Sequence, residues 1–191
     1  KHPELGWQRK ADMLIPRRRH QTISLGGKFY SIGGQHNEIN RTISSVQRYC
    51  PQLNQWQYVS PMKHSRMDFA IAKRKNIYVM GGKSFLKVPT KVCERYDPLT
   101  DEWHVMPEPK ESPFGPRAIL IPRTFQILFT GGLQGFMGEE RGTSEIYDIE
   151  TNTWMHASPM VNSRICHELV WYRNQIYAIG GINCSLGAHQ E

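Results

Sequence analysis

The chain has 191 residues, a hydrophobic content of 39% and a formal net charge of +7 at pH 7. That length suffices for one domain with a buried core, and no stretch approaches the roughly 18 apolar residues of a membrane-spanning helix. The opening segment KHPELGWQRK contains no apolar run, so no secretory signal is expected. Four cysteines without a CxxC pair predict neither a zinc site nor a disulfide framework. They favour a reduced, cytoplasmic chain, with nuclear or cytoskeletal association left open.

The predicted elements are short strands arranged in units. Trp7 lies 49 residues before Trp56, so it is interpreted as part of an outer strand that precedes the first full unit. That unit contains four predicted strands, in the segments HQTISL, KFYSIGG, SSVQRYC and QWQYVS. They are rich in β-branched and aromatic residues and are bounded by Gly, Pro, Asn and Asp. No segment shows a long helical period, so an all-β chain is predicted.

The second strand of each unit ends in a glycine pair. The pairs begin at Gly33, Gly81, Gly131 and Gly180, in steps of 48, 50 and 49 residues. Glycine at this point indicates a sharp bend close to neighbouring backbone. A period near 50 residues with four short strands per unit predicts the antiparallel blades of a β-propeller.

A tyrosine and a tryptophan complete each unit. Tyr49, Tyr96 and Tyr147 are each followed seven residues later by a tryptophan, and both rings are expected to pack between adjacent sheets. The residues assigned a structural role in the repeat are Gly33, Gly34, Tyr49, Trp56, Gly81, Gly82, Tyr96, Trp103, Gly131, Gly132, Tyr147, Trp154, Gly180 and Gly181.

The period divides the chain into about 3.8 units. Residues 1–14 are interpreted as the outer strand of a preceding blade, 15–62, 63–110 and 111–161 as three blades, and 162–191 as an incomplete blade. A ring of six blades at this period needs roughly 300 residues, so an arc of a six-bladed propeller is expected. The alternative is that the strand around Trp7 pairs with the last unit and closes a small ring.

These glycine pairs, tyrosines and tryptophans at this period resemble the kelch repeat. The Pro-Met pairs at 61–62 and 159–160 resemble those of the kelch half of BTB-kelch proteins. One departure is Cys50, which stands where the next two units carry Asp97 and Asp148. The resemblance implies a substrate adaptor of a cullin-type ubiquitin ligase, with the cullin-binding part in a region that precedes this chain. The alternative is a kelch protein that binds actin or its associated proteins.

No catalytic pattern stands out, so no enzymatic activity, cofactor or metal is predicted. The eight histidines form no HExxH, and GxSxG and the phosphate-binding GxxxxGK[ST] are absent. Cys166 and His167 are adjacent on a predicted strand, where successive side chains point to opposite faces, so they are not expected to pair. The basic runs at 17–19 and 73–75 are interpreted as solvated, because no nucleic-acid module or aromatic platform accompanies them. Nucleic acid is therefore an unfavoured partner, and no membrane partner is expected.

A protein or peptide partner is better supported. The loops that enter each first strand and those that follow each glycine pair are expected to open on one face. The resemblance implies that arginines in the entry loops hold acidic partner segments, a task that suits a rigid, permanently charged guanidinium. The alternative is that these arginines are solvated or satisfy neighbouring carbonyls. The predicted partner-binding residues are Arg17, Arg19, Arg66, Arg117, Arg164, His36, Asn37, Phe85 and Phe136.

Overall fold

A computed structural model describes residues 6–86, 88–111, 113, 115–132 and 144–183. These residues form sixteen strands and no helix. The strands are β1 Arg17–Arg18, β2 Gln21–Leu25, β3 Lys28–Ile32, β4 Gln35–His36, β5 Val46–Cys50, β6 Gln55–Val59, β7 Ala70–Lys73, β8 Ile77–Met80, β9 Cys93–Asp97, β10 Glu102–Met106, β11 Arg117–Leu120, β12 Gln126–Thr130, β13 Ser144–Asp148, β14 Thr153–Ala157, β15 Glu168–Tyr172 and β16 Gln175–Ile179.

The strands form three four-stranded antiparallel sheets and a terminal hairpin. The sheets have the orders β2-β3-β5-β6, β7-β8-β9-β10 and β11-β12-β13-β14, and the hairpin pairs β15 with β16. The first strands of consecutive sheets lie beside one another, β2 by β7, β7 by β11 and β11 by β15. The prediction of an all-β arc of propeller blades is confirmed.

The outer strand expected within residues 1–14 is absent from the described segment 6–16, where Trp7 is fully exposed. An outer strand forms by hydrogen bonding to a third strand, and no described strand pairs with this segment. The small ring closed by this segment is not formed either, because β16 pairs only with β15 among the described strands.

The core lies between blades because strand side chains alternate between two faces. Ile77 and Val79 of β8 pack toward the first blade, in a cluster that includes Tyr30. Tyr78 and Met80 pack toward the third blade, in a cluster that includes Phe129. All four residues of β8 are therefore buried, since this middle blade is covered on both sides.

The glycine pairs lie where the chain passes against neighbouring backbone. Gly34 has a φ of 90°, and a Cβ at this position would lie 2.6 Å from the carbonyl oxygen of Arg18. A Cβ at Gly131 would lie 2.7 Å from the carbonyl oxygen of Arg164. A side chain at either position would collide with backbone as well as straining φ.

The repeated tyrosines and tryptophans fasten each blade to the linker that enters it. The Tyr96 hydroxyl donates to Asp101 Oδ1 at 2.7 Å, and that oxygen also accepts the Ser60 N–H at 3.0 Å. Trp103 Nε1 donates to the Ser60 carbonyl at 2.8 Å. In the first blade, Asn54 Oδ1 accepts both the Tyr49 hydroxyl and the Ala11 N–H, and Trp56 Nε1 donates to the Ala11 carbonyl. In the third blade, the Tyr147 hydroxyl donates to Asn152 Oδ1, and Trp154 Nε1 donates to the Pro107 carbonyl.

Candidate protein-interaction face

In the first, second and last blades, the entry loop lies beside the loop that follows the glycine pair of the same blade. β1 pairs with β4, joining Arg17 to His36, and bridges between Met67 and Lys83 and between Ile165 and Ile182 repeat the contact. Together these loops form one surface, which we term the loop face. Its described residues are 15–20, 35–42, 64–69, 83–86, 88–91, 115–116, 163–167 and 182–183.

Arg17 is buried beneath this surface rather than presented on it. Its side chain donates to the Gly33 carbonyl at 3.1 Å, to the Ser45 carbonyl at 2.8 Å and to Ser45 Oγ at 3.0 Å. The residue is 5% exposed, and burial lowers the pKa of its guanidinium to about 10, so it remains charged at pH 7.

Arg66 repeats this role with a carboxylate added. It is 0% exposed and donates to the Gly81 carbonyl at 3.0 Å, to the Val92 carbonyl and to Glu94 Oε1 at 2.6 Å. Burial lowers the pKa of Arg66, and the adjacent carboxylate opposes that shift. Glu94 also accepts the N–H of Lys63 at 2.7 Å, so the pair binds the glycine turn to the linker between blades.

Arg164 completes the set, donating to the Gly180 carbonyl at 2.8 Å while its side chain is half-buried. All three arginines therefore bind the carbonyl of the first glycine of their own pair. The assignment of Arg17 and Arg66 to a partner is wrong in this structure, because both guanidinium groups are buried and bonded to backbone. The alternative, that they satisfy neighbouring carbonyls, describes them correctly.

Arg117 does not belong to this set. It lies within β11 opposite Thr130, in the register that Ala70 occupies opposite Met80 in the second blade. Buried Pro113, four residues earlier, takes the place equivalent to Arg66. The Arg117 side chain instead lies 3.3 Å from Glu168 Oε1 on the next blade.

Four residues at the inner edge of the loop face link the blades. The Asp68 N–H donates to the Arg19 carbonyl at 3.3 Å, the Gly115 N–H to the Asp68 carbonyl at 2.9 Å, and the Cys166 N–H to the Gly115 carbonyl at 3.3 Å. All four have positive φ, from 53° to 73°. Each of the four lies two positions after Arg17, Arg66 or Arg164, or after Pro113, which takes the arginine's place in the third blade.

Arg19 therefore lies on the edge, partly exposed, but it is already paired. Its Nε donates to Asp68 Oδ1 at 2.9 Å, and its Nη2 contacts Asp68 Oδ2. Lys83 Nζ lies 3.2 Å from the same Oδ2. A partner carboxylate that approaches Arg19 thus competes with Asp68.

Exposed apolar side chains lie at the tip of the second blade's loop. The Ser84 N–H donates to the Val88 carbonyl at 3.0 Å, which closes a turn. Around it Phe85 is 45% exposed, Leu86 75% and Val88 57%. This group, Phe85, Leu86 and Val88, is termed the apolar tip.

The remaining predicted contact residues are distributed along the neighbouring loops. His36 is half-buried, and its Nδ1 accepts the Glu38 N–H at 3.2 Å. Asn37 is exposed beside it, at the tip of the first blade's loop. Phe136 lies outside the described residues.

Sequence reasoning missed a polar residue that recurs two positions before each tyrosine. Gln47 Oε1 accepts the Leu14 N–H at 2.9 Å, and the Glu145 carboxylate accepts the N–H groups of Lys110 and Glu111 at 2.9 and 3.1 Å. Glu94 has the same role in the second blade. The signal was present in the segments VQRY, CERY and SEIY, whose second residue always carries a side-chain acceptor.

Among the described residues, no group of three His, Cys, Asp or Glu side chains is placed to hold a metal ion. The same part of the chain has no helix long and apolar enough to cross a membrane.

Comparison with known proteins identifies the class. The Kelch motif family model matches residues 16–63 and 73–110. A solved structure entitled "Structure of YjhT" superposes with a TM-score of 0.76 over 87% of this chain and 59% of that chain, at 16% sequence identity, which supports the fold. The chain is a kelch-repeat β-propeller.

Its sequence relatives include Kelch-like proteins. Kelch-like protein 26 of Danio rerio is 30% identical over 85% of this chain and 27% of its own length. Kelch-like protein 36 of Bos taurus is 29% identical over 94% of this chain and 29% of its own length. Beta-scruin of Limulus polyphemus is 28% identical over 93% of this chain and 20% of its own length. The chain thus resembles the Kelch-like proteins. It spans less than a third of the length of these relatives. As a kelch-repeat chain, it fits a protein-interaction module.

Proposed function

We propose that this chain is a non-catalytic module that binds a protein partner through its loop face. The observation that carries the proposal is the apolar tip, where three apolar side chains are exposed together on a loop held by a rigid, buried framework. Apolar residues clustered on a surface loop are typical of contact sites, whereas singly scattered ones need no explanation.

An acidic or mixed segment is the partner chemistry that we favour. Arg18, Arg41 and Lys63 are exposed on or beside the loop face, and Arg19 is partly exposed at its inner edge. A segment with apolar side chains flanked by carboxylates would match the apolar tip and these cations together.

By resemblance to BTB-kelch proteins, the parent protein would be a cytoplasmic substrate adaptor of a cullin-type ubiquitin ligase. The cullin would bind a region outside this chain, while the loop face would recognise the substrate. The alternative is an actin-binding kelch protein. The similarity to beta-scruin keeps this alternative open, because it extends the relatives beyond those named Kelch-like.

The test is a pull-down with the full-length parent protein, analysed by mass spectrometry. The variant Phe85→Ser, Leu86→Ser disrupts the apolar tip, and Leu53→Ser, Leu99→Ser is the matched control on exposed turns of the opposite face. A partner lost with the first variant and retained with the control supports the loop face. Full recovery with both variants contradicts it. Cullin among the recovered proteins favours the adaptor, and actin without cullin favours the alternative.

A further inference from the structure

The face opposite the loop face carries cations that the proposed function does not use. It contains the turns that join the first and second strands of each blade, at residues 26–27, 74–76, 121–125 and 173–174. Five basic residues in and beside three of these turns form what we term the basic cluster. Its members are Lys73, Arg74, Lys75, Arg123 and Arg173.

Side-chain contacts join neighbouring turns into one surface. Lys73 Nζ of the second blade donates to Ser24 Oγ of the first blade at 2.8 Å. On the other side, Arg74 Cζ lies 3.6 Å from the centre of the Phe125 ring in the third blade. These contacts join the turns of the first three blades, and Arg173 occupies the corresponding turn of the last hairpin, close to the axis around which the first strands are arranged.

The charge of this cluster is not neutralised locally. None of its five members forms an ion pair with a carboxylate among the described residues, and the four turns contain no Asp or Glu. Lys75, Arg123 and Arg173 are exposed. Adjacent unpaired charges of one sign create a positive potential that attracts an anionic group.

The acidic residues of the same face lie farther from the axis. They are located in and beside the turns that join the third and fourth strands, and are Asp97, Asp101, Glu102, Asp148 and Glu150. Cations thus occupy the inner part of this face and carboxylates the outer part. A rigid DNA duplex or a membrane plane laid across the face would meet both, whereas a short flexible chain can remain on the inner part.

Base stacking gives no additional support for a nucleic-acid ligand. The ring of Phe125 is covered by Arg74, and Arg173 Cζ lies 5.2 Å from the centre of the Tyr172 ring, so neither ring offers a free platform on that side. An acidic protein segment requires neither stacking nor insertion, and guanidinium groups bind its carboxylates bidentately. We propose that the basic cluster binds a short run of Asp and Glu side chains from a protein partner, at a second site opposite the loop face.

The test is the binding of a fluorescein-labelled deca-glutamate peptide to the full chain at low salt, followed by fluorescence anisotropy. Lys75→Glu, Arg123→Glu alters the basic cluster, and Lys10→Glu, Lys110→Glu makes the same change in net charge in the segments that lead into the first and third blades. Each altered side chain is exposed, and thermal unfolding checks that both variants fold. We expect the first variant to bind about tenfold more weakly, the effect of roughly 1.4 kcal/mol, and the second to bind as the unaltered chain does.

Several outcomes would overturn the proposal. The first is no binding by the unaltered chain. The second is equal weakening in both variants, which would indicate general attraction by net charge. The third is unweakened binding by the Lys75→Glu, Arg123→Glu variant. A DNA duplex and vesicles containing phosphatidylserine serve as competing ligands. Tighter binding of either one, abolished by Lys75→Glu, Arg123→Glu, would assign the basic cluster to that ligand instead.

Discussion

At the scale of single residues, three arginines of the entry loops support the glycine turns of their own blades. Arg17, Arg66 and Arg164 each bind the carbonyl of a glycine that leaves its strand with positive φ. Their regular spacing from the glycine pairs is what a framework role produces. Spacing alone did not separate that role from partner binding, because it carries no information on burial.

We predict that Arg66→Ala lowers the free energy of unfolding by roughly 3–5 kcal/mol, because it leaves the Glu94 carboxylate buried without its cation. Urea denaturation measures the change. Arg18→Ala is the control, since the exposed Arg18 side chain bonds, among the described residues, only to the side chains of Gln35 and Asn40. Equal stability of the two variants would show that the buried pair has no such role.

Asp68 is expected to weaken the binding of an acidic partner by occupying Arg19 and Lys83. Asp68→Asn keeps the shape and tolerates the positive φ of this position, but removes the competing charge. We expect about two- to fivefold tighter binding of the acidic partner isolated in the pull-down, the range for one partly exposed charge. Unchanged or weaker binding in a titration would argue against competition by Asp68.

His167 is buried, and neither ring nitrogen has a hydrogen-bond partner among the described residues. Burial, with Arg117 and Arg164 adding to it, lowers its pKa from 6.5 to about 4. The unfolded chain therefore takes up a proton that the folded chain excludes, so stability should fall as the pH drops from 6.5 towards 4. His167→Phe, which copies Phe69 of the second blade, should reduce this fall. Parallel stability curves for both proteins would exclude the effect.

At the scale of the elements, the fourth strand of each blade is fastened through its tryptophan. Trp103 is buried against the first blade and binds the linker that joins the two blades. The sequence predicted the packing, because tyrosine and tryptophan recur at fixed spacing. It did not predict that an Asx residue of positive φ joins the tyrosine to the linker, since Asn54 and Asp101 also suit an ordinary turn.

Trp103→Ala should lower the free energy of unfolding by about 3–5 kcal/mol through the cavity that it leaves. Trp7→Ala is the matched control, because Trp7 is fully exposed and should change stability little. Chemical denaturation monitored by circular dichroism compares the two. Equal midpoints would refute the structural role of Trp103.

At the scale of the whole molecule, the repeat period predicted the blades and their order, since each blade buries its faces only against neighbours. The period did not predict the state of the segment around Trp7, because an outer strand depends on a partner strand and not on its own sequence. Position in the repeat also placed the loops on one face. The repeat pattern did not predict the pairing of Arg19 with Asp68, which lie 49 residues apart, because this pairing depends on side chains of two blades.

The most direct test of the loop face is amide hydrogen exchange of the chain with and without its partner. The account predicts slower exchange in residues 35–42 and 83–91 when the partner is bound, with the outer strands β6, β10 and β14 unchanged. Protection confined to those outer strands, with the loop-face segments exchanging as in the free chain, would contradict the assignment of the partner to the loop face.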